Sequence, residues 1–186
     1  MWSPEMPIGR TAAAIVAIVL LALPACGFQP VYGTQANGYA AQDVTAAIRI
    51  APIKDRVGQR IRNELIRQLT PGGEPADAPY LMRLQVQVSE RDIFARTDRE
   101  VDRVSVTVTA HFQVIDAATL NPADPGTPPT VIYADTAFAE SSFNRFASEF
   151  ANIRARQDAE NRAAGEVALF IRNQIVAAVV AGANAG

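Results

Sequence analysis

Apolar and polar positions alternate with two different periods along this chain, and each change of period marks an element. From Val44 to Ile50 the even positions Val44, Ala46, Ile48 and Ile50 are apolar, with Thr45 and Arg49 between them, which predicts a half-buried strand. Pro52 ends it. Over residues 54–69 the period lengthens: Val57, Ile61, Leu65 and Leu69 recur every fourth residue and Ile66 joins them, the stripe of an amphipathic helix. Arg56, Arg60, Glu64 and Arg67 take its other faces. Thr70-Pro71-Gly72-Gly73 stops the helix, since proline cannot continue it and glycine accepts the left-handed exit.

Strict alternation returns downstream. Met82, Leu84, Val86 and Val88 are separated by Arg83, Gln85, Gln87 and Ser89, and Val104, Val106, Val108, Ala110, Phe112 and Val114 by Ser105, Thr107, Thr109, His111 and Gln113. Helical spacing would scatter these residues around a cylinder, so both segments are predicted as strands with one apolar and one polar face. Five Pro and Gly residues between 117 and 130 predict a loop, and a weaker strand follows over about 131–139, with Ile132, Ala134 and Phe138 facing one way. From Ser141-Ser142 onward the pattern is helical: Phe143, Phe146 and Phe150, then Ala159, Ala163, Val167, Phe170, Ile171, Ile175, Ala178 and Val179 on a related face. A helix from near Phe146 to near Val180 runs about 50 Å at the helical rise, with Gly165 as its weak point.

The predicted class is α+β in the order β-α-β-β-β-α, with two amphipathic helices packed on one face of a four-stranded mixed sheet. The other face, rich in Arg, Gln, Ser, Thr and His, is left to water or a partner. Residues 44–181 make one domain and 182–186 a tail.

The amino end has a different character. Residues 11–23 are an uncharged, largely apolar run of 13, preceded by Arg10 and followed by Pro24-Ala25-Cys26. That is short of the roughly 20 residues a membrane-spanning helix needs but suits the apolar region of a secretory signal. With Ala25 before the cysteine and Leu23 three positions upstream of it, the segment is similar to a bacterial lipoprotein signal. There the thiol is acylated and the chain is cut before Cys26, leaving 161 of the 186 residues. Lipid on Cys26, an N-acyl and an S-diacylglycerol group, would anchor the chain without a transmembrane helix. Residues 26–43 then form a stem. The competing reading is a plain cleaved signal, or a short anchor with an incidental cysteine; translation from Met6 rather than Met1 would remove Glu5 from the segment.

Composition narrows the chemistry. Seventeen basic residues, all Arg except Lys54, face nineteen acidic ones for a net charge of -2, so bulk charge draws the chain to no nucleic acid. One cysteine excludes an internal disulfide, a multi-cysteine zinc site and a redox pair. The one histidine, His111, falls on the polar face of its strand between Thr109 and Gln113 and reads as surface- or partner-facing. Ser105, Ser141 and Ser142 have no histidine and acid partners in sequence context, and neither a calcium-loop spacing nor a phosphate-cradling glycine loop occurs. No catalytic residue, metal ligand or cofactor site is therefore assigned. Residues 90–103 hold four Arg and five acids, a mixed-charge hairpin tip. It reads either as a solvated turn or as a phosphate- or partner-binding site in which Arg91, Arg96, Arg99 and Arg103 supply planar, permanently charged donors.

Three pieces coincide: the lipoprotein signal leading into Cys26-Gly27-Phe28-Gln29-Pro30-Val31-Tyr32-Gly33, the β-α-β-β-β-α order, and the terminal run Asp158-Ala159-Glu160-Asn161-Arg162-Ala163-Ala164 leading into Ile171 and Ile175. Together they resemble the LptE family of outer-membrane lipopolysaccharide-assembly lipoproteins. The resemblance implies a non-enzymatic subunit on the periplasmic side of a Gram-negative outer membrane. It would help assemble the LptD β-barrel, sit inside it as a plug, and with it deliver lipopolysaccharide to the outer leaflet. Phe28, Pro30 and Tyr32 then form either a stiff apolar stem beside the lipid headgroups or an ordinary linker. The rival from another class is an auxiliary lipoprotein of an ABC-type lipid transporter, acting as a periplasmic binding module; a small periplasmic hydrolase is a third.

Overall fold

A computed structural model describes residues 41–94, 101–120 and 126–183. In chain order the elements are helix α1 (Ala41–Ala46), strand β1 (Ile48–Ile50), helix α2 (Arg56–Leu69), strands β2 (Tyr80–Phe94) and β3 (Val101–Asp116), one 3-10 turn (Ala117–Thr119), strand β4 (Val131–Asn144) and helix α3 (Glu149–Ala183). The strands form one sheet in the order β1-β2-β3-β4, with β1 parallel to β2 and the other pairs antiparallel. Apart from the short α1, this is the expected α+β order.

The first strand is shorter than the alternation suggests. Only residues 48–50 pair, and Val44, Thr45 and Ala46 belong to α1. Ile48 already lies opposite Tyr80, the first residue of β2, so nothing upstream of it has a partner to pair with. Val44 and Ile48 are also four apart, a spacing that satisfies a helix as well as a strand. The outer edge of β1 is closed by side chains: the Ile50 N–H donates to Glu74 Oε1 at 2.8 Å, and the Ile50 carbonyl accepts from Arg62 Nε at 3.1 Å. Arg62 and Glu74 pair with each other at 2.5 Å.

Helix α2 follows its pattern closely. Asp55 caps it by accepting the Gly58 N–H at 2.6 Å, and any Cβ at Gly58 would collide with Ile53 and with that capping carboxylate. Val57, Ile61, Leu65 and Leu69 are buried against the sheet. At the far end the Thr70 N–H and hydroxyl both donate to the Ile66 carbonyl, and Gly73 takes the left-handed conformation with φ 101°.

Strands β2 and β3 extend into the mixed-charge segment, which is strand as far as Phe94 and again from Val101. Charge does not stop the ladder because oppositely charged side chains answer it: Arg156 pairs with Glu90 at 2.9 Å and Arg145 with Asp92 at 3.1 Å. On β3 the apolar series Val104 to Val114 is buried throughout.

In β4 small residues make up most of the inward face. Ala137, Ala139 and Phe143 face the core, whereas Ile132 and Phe138 are 53% and 66% exposed. Register explains this, because antiparallel partners share a face: Ala137 lies opposite Ala110, Ala139 opposite Val108 and Phe143 opposite Val104, all inward on β3. Small residues on this face let α3 approach through its own Ala163, Ala164 and Ala168.

Phe143 is therefore a strand residue, and α3 begins only at Glu149. Between them Asn152 accepts the Phe146 N–H and donates to the Phe146 carbonyl, closing the turn. Phe146 and Phe150 are exposed, and so is Phe170, which the helical stripe placed inside; the buried positions are Ala159, Ala163, Ala164, Val167, Ala168, Ile171, Ile175 and Val176. The helix continues unbroken through Gly165. It is long and apolar enough to cross a membrane, but its inner face lies on the sheet. Arg56 of α2 ties the two helices together through Glu160 and Asn161.

The outer edge of β4 is partly covered by α3. Gln174 donates to the Thr136 carbonyl at 3.4 Å and Arg162 to the Ser142 carbonyl at 2.9 Å, while the Thr136 N–H donates to the Asp135 carboxylate at 2.7 Å. By the alternation of an antiparallel ladder, Phe138 and Glu140 point their backbone groups toward the same edge.

Candidate functional site

The helices cover one face of the sheet and leave the other open, so the functional surface is built on that open face. Register fixes it as five rows across β2, β3 and β4: Arg83-Gln113-Ala134, Gln85-His111-Thr136, Gln87-Thr109-Phe138, Ser89-Thr107-Glu140 and Arg91-Ser105-Ser142. Neighbouring strands lie about 4.8 Å apart and successive rows about 6.7 Å apart, so this is a rigid lattice of short polar groups. His111 sits near its centre, where the sequence pattern placed it, with Nδ1 2.8 Å from Thr136 Oγ1. Around it the first two rows form a depression of about 480 Å³.

Two of the four hairpin arginines fall on described residues. Arg91 and Arg103 both lie on the open face at one end of the sheet, diagonal neighbours across the β2–β3 ladder. Arg91 is 3.9 Å from Glu140, which also accepts the hydroxyl of the buried Ser105, and Arg103 Nε donates to Asn144 at 3.3 Å. The Arg91 side chain remains 77% exposed, so its contact with Glu140 is a weak surface pair that a stronger anion can replace. Arg96 and Arg99 lie outside the described residues, as do Cys26 and the stem around Phe28, Pro30 and Tyr32.

A second, apolar recess of about 310 Å³ opens on the helix side of the sheet, at the end away from the hairpin, among Val44, Ile48, Tyr80, Tyr133, Ile175 and Val179. The Tyr133 hydroxyl points from it to Asp135 at 2.9 Å; burial first, then the neighbouring carboxylate, pushes its pKa above the ordinary phenol value. Neither recess was legible from motifs, because each draws on several elements distant in sequence. The polar alternation identifies the individual residues of the open face, and Phe138 shares that face with Ala134, as the spacing in its strand predicts.

Among the described residues no three His, Cys, Asp or Glu side chains gather as a metal-ligand set. His111 contacts a threonine hydroxyl, and Ser105 meets Glu140 with no histidine between them. The arrangement is suited to binding through hydrogen bonds and charge.

The fold thus defines an α+β domain with one helix-covered and one open sheet face. The chain matches the sequence model described as "LptE: Lipopolysaccharide-assembly" over residues 43–175, and it belongs to the LptE family. No curated protein sequence matches it significantly. Among solved structures, a protein from Caulobacter crescentus CB15 proposed to be a lipoprotein has a similar fold, with TM-score 0.59, 18% identity, 75% of this chain and 96% of that one covered. Rare lipoprotein B from Shewanella oneidensis aligns with TM-score 0.49 and 11% identity over 72% of this chain and 94% of that one. A minor lipoprotein from Acinetobacter baumannii aligns with TM-score 0.46 and 16% identity over 70% and 90%.

Proposed function

We propose that the mature chain is an outer-membrane lipoprotein, held on the periplasmic side by lipid on Cys26. It assists assembly of an LptD-type β-barrel, plugs it, and so takes part in delivering lipopolysaccharide to the outer leaflet without catalysing a reaction. The observation that carries this reading is the family match across residues 43–175, which spans every described strand and most of α3. A compact domain whose exposed sheet face is hydrogen-bonding rather than apolar also suits a plug, since the lumen of a membrane barrel is polar. Arg91 and Arg103, together with Arg96 and Arg99, are the proposed contacts to lipid phosphates or the barrel wall, because a guanidinium offers two parallel donors to such an oxyanion.

The test is depletion of the protein, followed by measurement of surface lipopolysaccharide and of correctly folded barrel. Both should fall, and the lipoprotein should co-purify with a large outer-membrane barrel. Normal levels of both, or co-purification with an inner-membrane ATPase and permease instead, overturns the reading.

A further inference from the structure

The open sheet face carries a second kind of information, in the chemistry of its first three rows. Of the nine side chains at Arg83, Gln113, Ala134, Gln85, His111, Thr136, Gln87, Thr109 and Phe138, one is an obligate cation. The remainder are amides, hydroxyls, one imidazole, one methyl group and one phenyl ring. Such a surface is matched to a particular ligand class by elimination. Acyl chains would have to strip water from amides and hydroxyls and return no hydrogen bond. A polyphosphate would need several converging cations, and those rows offer one. A neutral polyhydroxylated ligand suits the whole set, because Gln and Thr side chains both donate and accept, as sugar hydroxyls do.

Phe138 completes the match. Its ring stands 66% exposed on the polar face, one row along from His111 and Thr136, although an inward position on the same strand was open to it in sequence terms. The face of an aromatic ring is electron-rich, and the C–H side of a sugar ring is apolar and slightly positive, so the two stack. An aromatic platform next to a row of amides and hydroxyls is the two-part surface that a sugar presents in complement. The site is also preorganised: β3, at its centre, is held by hydrogen bonds from strands on both sides, so little order remains to be gained on binding.

We propose that the open face, from the Arg83 row to Phe138, is a glycan-binding site, and that its occupant is the saccharide part of lipopolysaccharide. The choice of that source rests on the function proposed above; the glycan chemistry does not. The site is separate from the hairpin arginines, which would meet phosphate, and lies two rows away from Arg91 along the same face.

The experiment uses the purified full chain in detergent, with no barrel present, titrated with core oligosaccharide freed of lipid A by mild acid. Saturation-transfer NMR and calorimetry read the binding. Saturable binding is expected, with transfer strongest onto sugar C–H protons; Phe138→Ala and Gln113→Ala should each weaken it at least tenfold. Phe150→Ala, which removes an equally exposed ring from α3, should leave it unchanged. Circular dichroism should show both Phe variants folded, since neither ring is buried. No saturable binding, or equal affinity in Phe138→Ala and the parent, overturns the site. Equal or tighter binding of a peptidoglycan-derived glycan overturns the assignment of its source. Because the reading is made on the isolated chain, a negative result leaves the depletion experiment standing, and normal surface lipopolysaccharide after depletion leaves the binding result standing.

Discussion

The two ends of the sheet are held together by different forces. At the end where β1 runs, α2 and the carboxyl half of α3 lie side by side over the strands, and Ile48, Ile50, Ile61, Leu65, Met82, Phe112, Val167 and Ile171 form one continuous buried cluster. At the hairpin end β2 and β3 run on beyond α2, and only the first turns of α3 cover them. There the buried set shrinks to Val104, Val106, Phe143 and Ala159, Val88 and Ile93 reach solvent, and Arg145 and Arg156 hold β2 through its acids. Apolar burial scales with covered area, whereas exposed ion pairs contribute little. The lesson is that stability is graded along the strands, and that the proposed phosphate-contacting arginines sit at the weaker end, where local opening costs least.

The largest effect should come from the strong end. Phe112→Ala leaves a cavity in the middle of the continuous cluster and should cost about 3–5 kcal/mol. Urea unfolding should show it as a lower midpoint with every probe moving together. If the β1 end unfolded alone while the hairpin end stayed folded, the grading would be inverted.

An intermediate effect is expected at the weak end. Phe143→Ala removes the one large side chain of the small cluster and should cost about 2–3 kcal/mol, because the site is close enough to solvent to relax. Hydrogen exchange sharpens the contrast: amides near Val104, Val106 and Ser141 should lose protection while those near Ile50 and Leu84 keep theirs. Equal loss at both ends would mean that the sheet opens as a single unit.

The smallest effect is electrostatic and belongs to α2. Hydrogen bonds from Arg67 and then Gln68 hold the Glu64 carboxyl below the usual carboxylate range. A depressed pKa stabilises the fold above the ordinary carboxylate pKa and is lost as pH falls through the folded-state value. Glu64→Gln should therefore lower the urea midpoint slightly at neutral pH and leave it nearly unchanged in acid, flattening a small part of the acid dependence; the effect is small because Arg67 is well exposed to solvent. An equal loss in acid, where the carboxyl is already protonated, would point to lost packing instead.

Much of this architecture is legible in the residues. The alternations at 82–89 and 104–114 and the stripe Val57-Ile61-Leu65-Leu69 each satisfy one period only, and each folds as that period requires. Where a residue satisfies two periods, as Val44 and Ile48 do, the choice passes to whichever partner strand is available. In β4 the spacing of Ile132, Ala134 and Phe138 does not say which face turns inward; the packing of α3 on Ala137 and Ala139 does, a requirement set by another element. Glu90 and Asp92 read as loop because the arginines that neutralise them lie more than fifty residues away. The open face was legible as a set of polar positions, and His111 was placed on it; the depression was not, since register between three strands creates it.

One consequence belongs to the edge of β4. A strand of 14 residues with only Asp135 and Glu140 charged and no proline or lysine is a ready template for another chain to join. Gln174, Arg162 and Asp135 occupy its backbone groups at Thr136 and Ser142, which leaves only a short free stretch between them. The ladder on that edge is therefore interrupted rather than continuous. A second chain seeking to extend the sheet meets those side chains first, so α3 works as an insulator as well as a lid on the core.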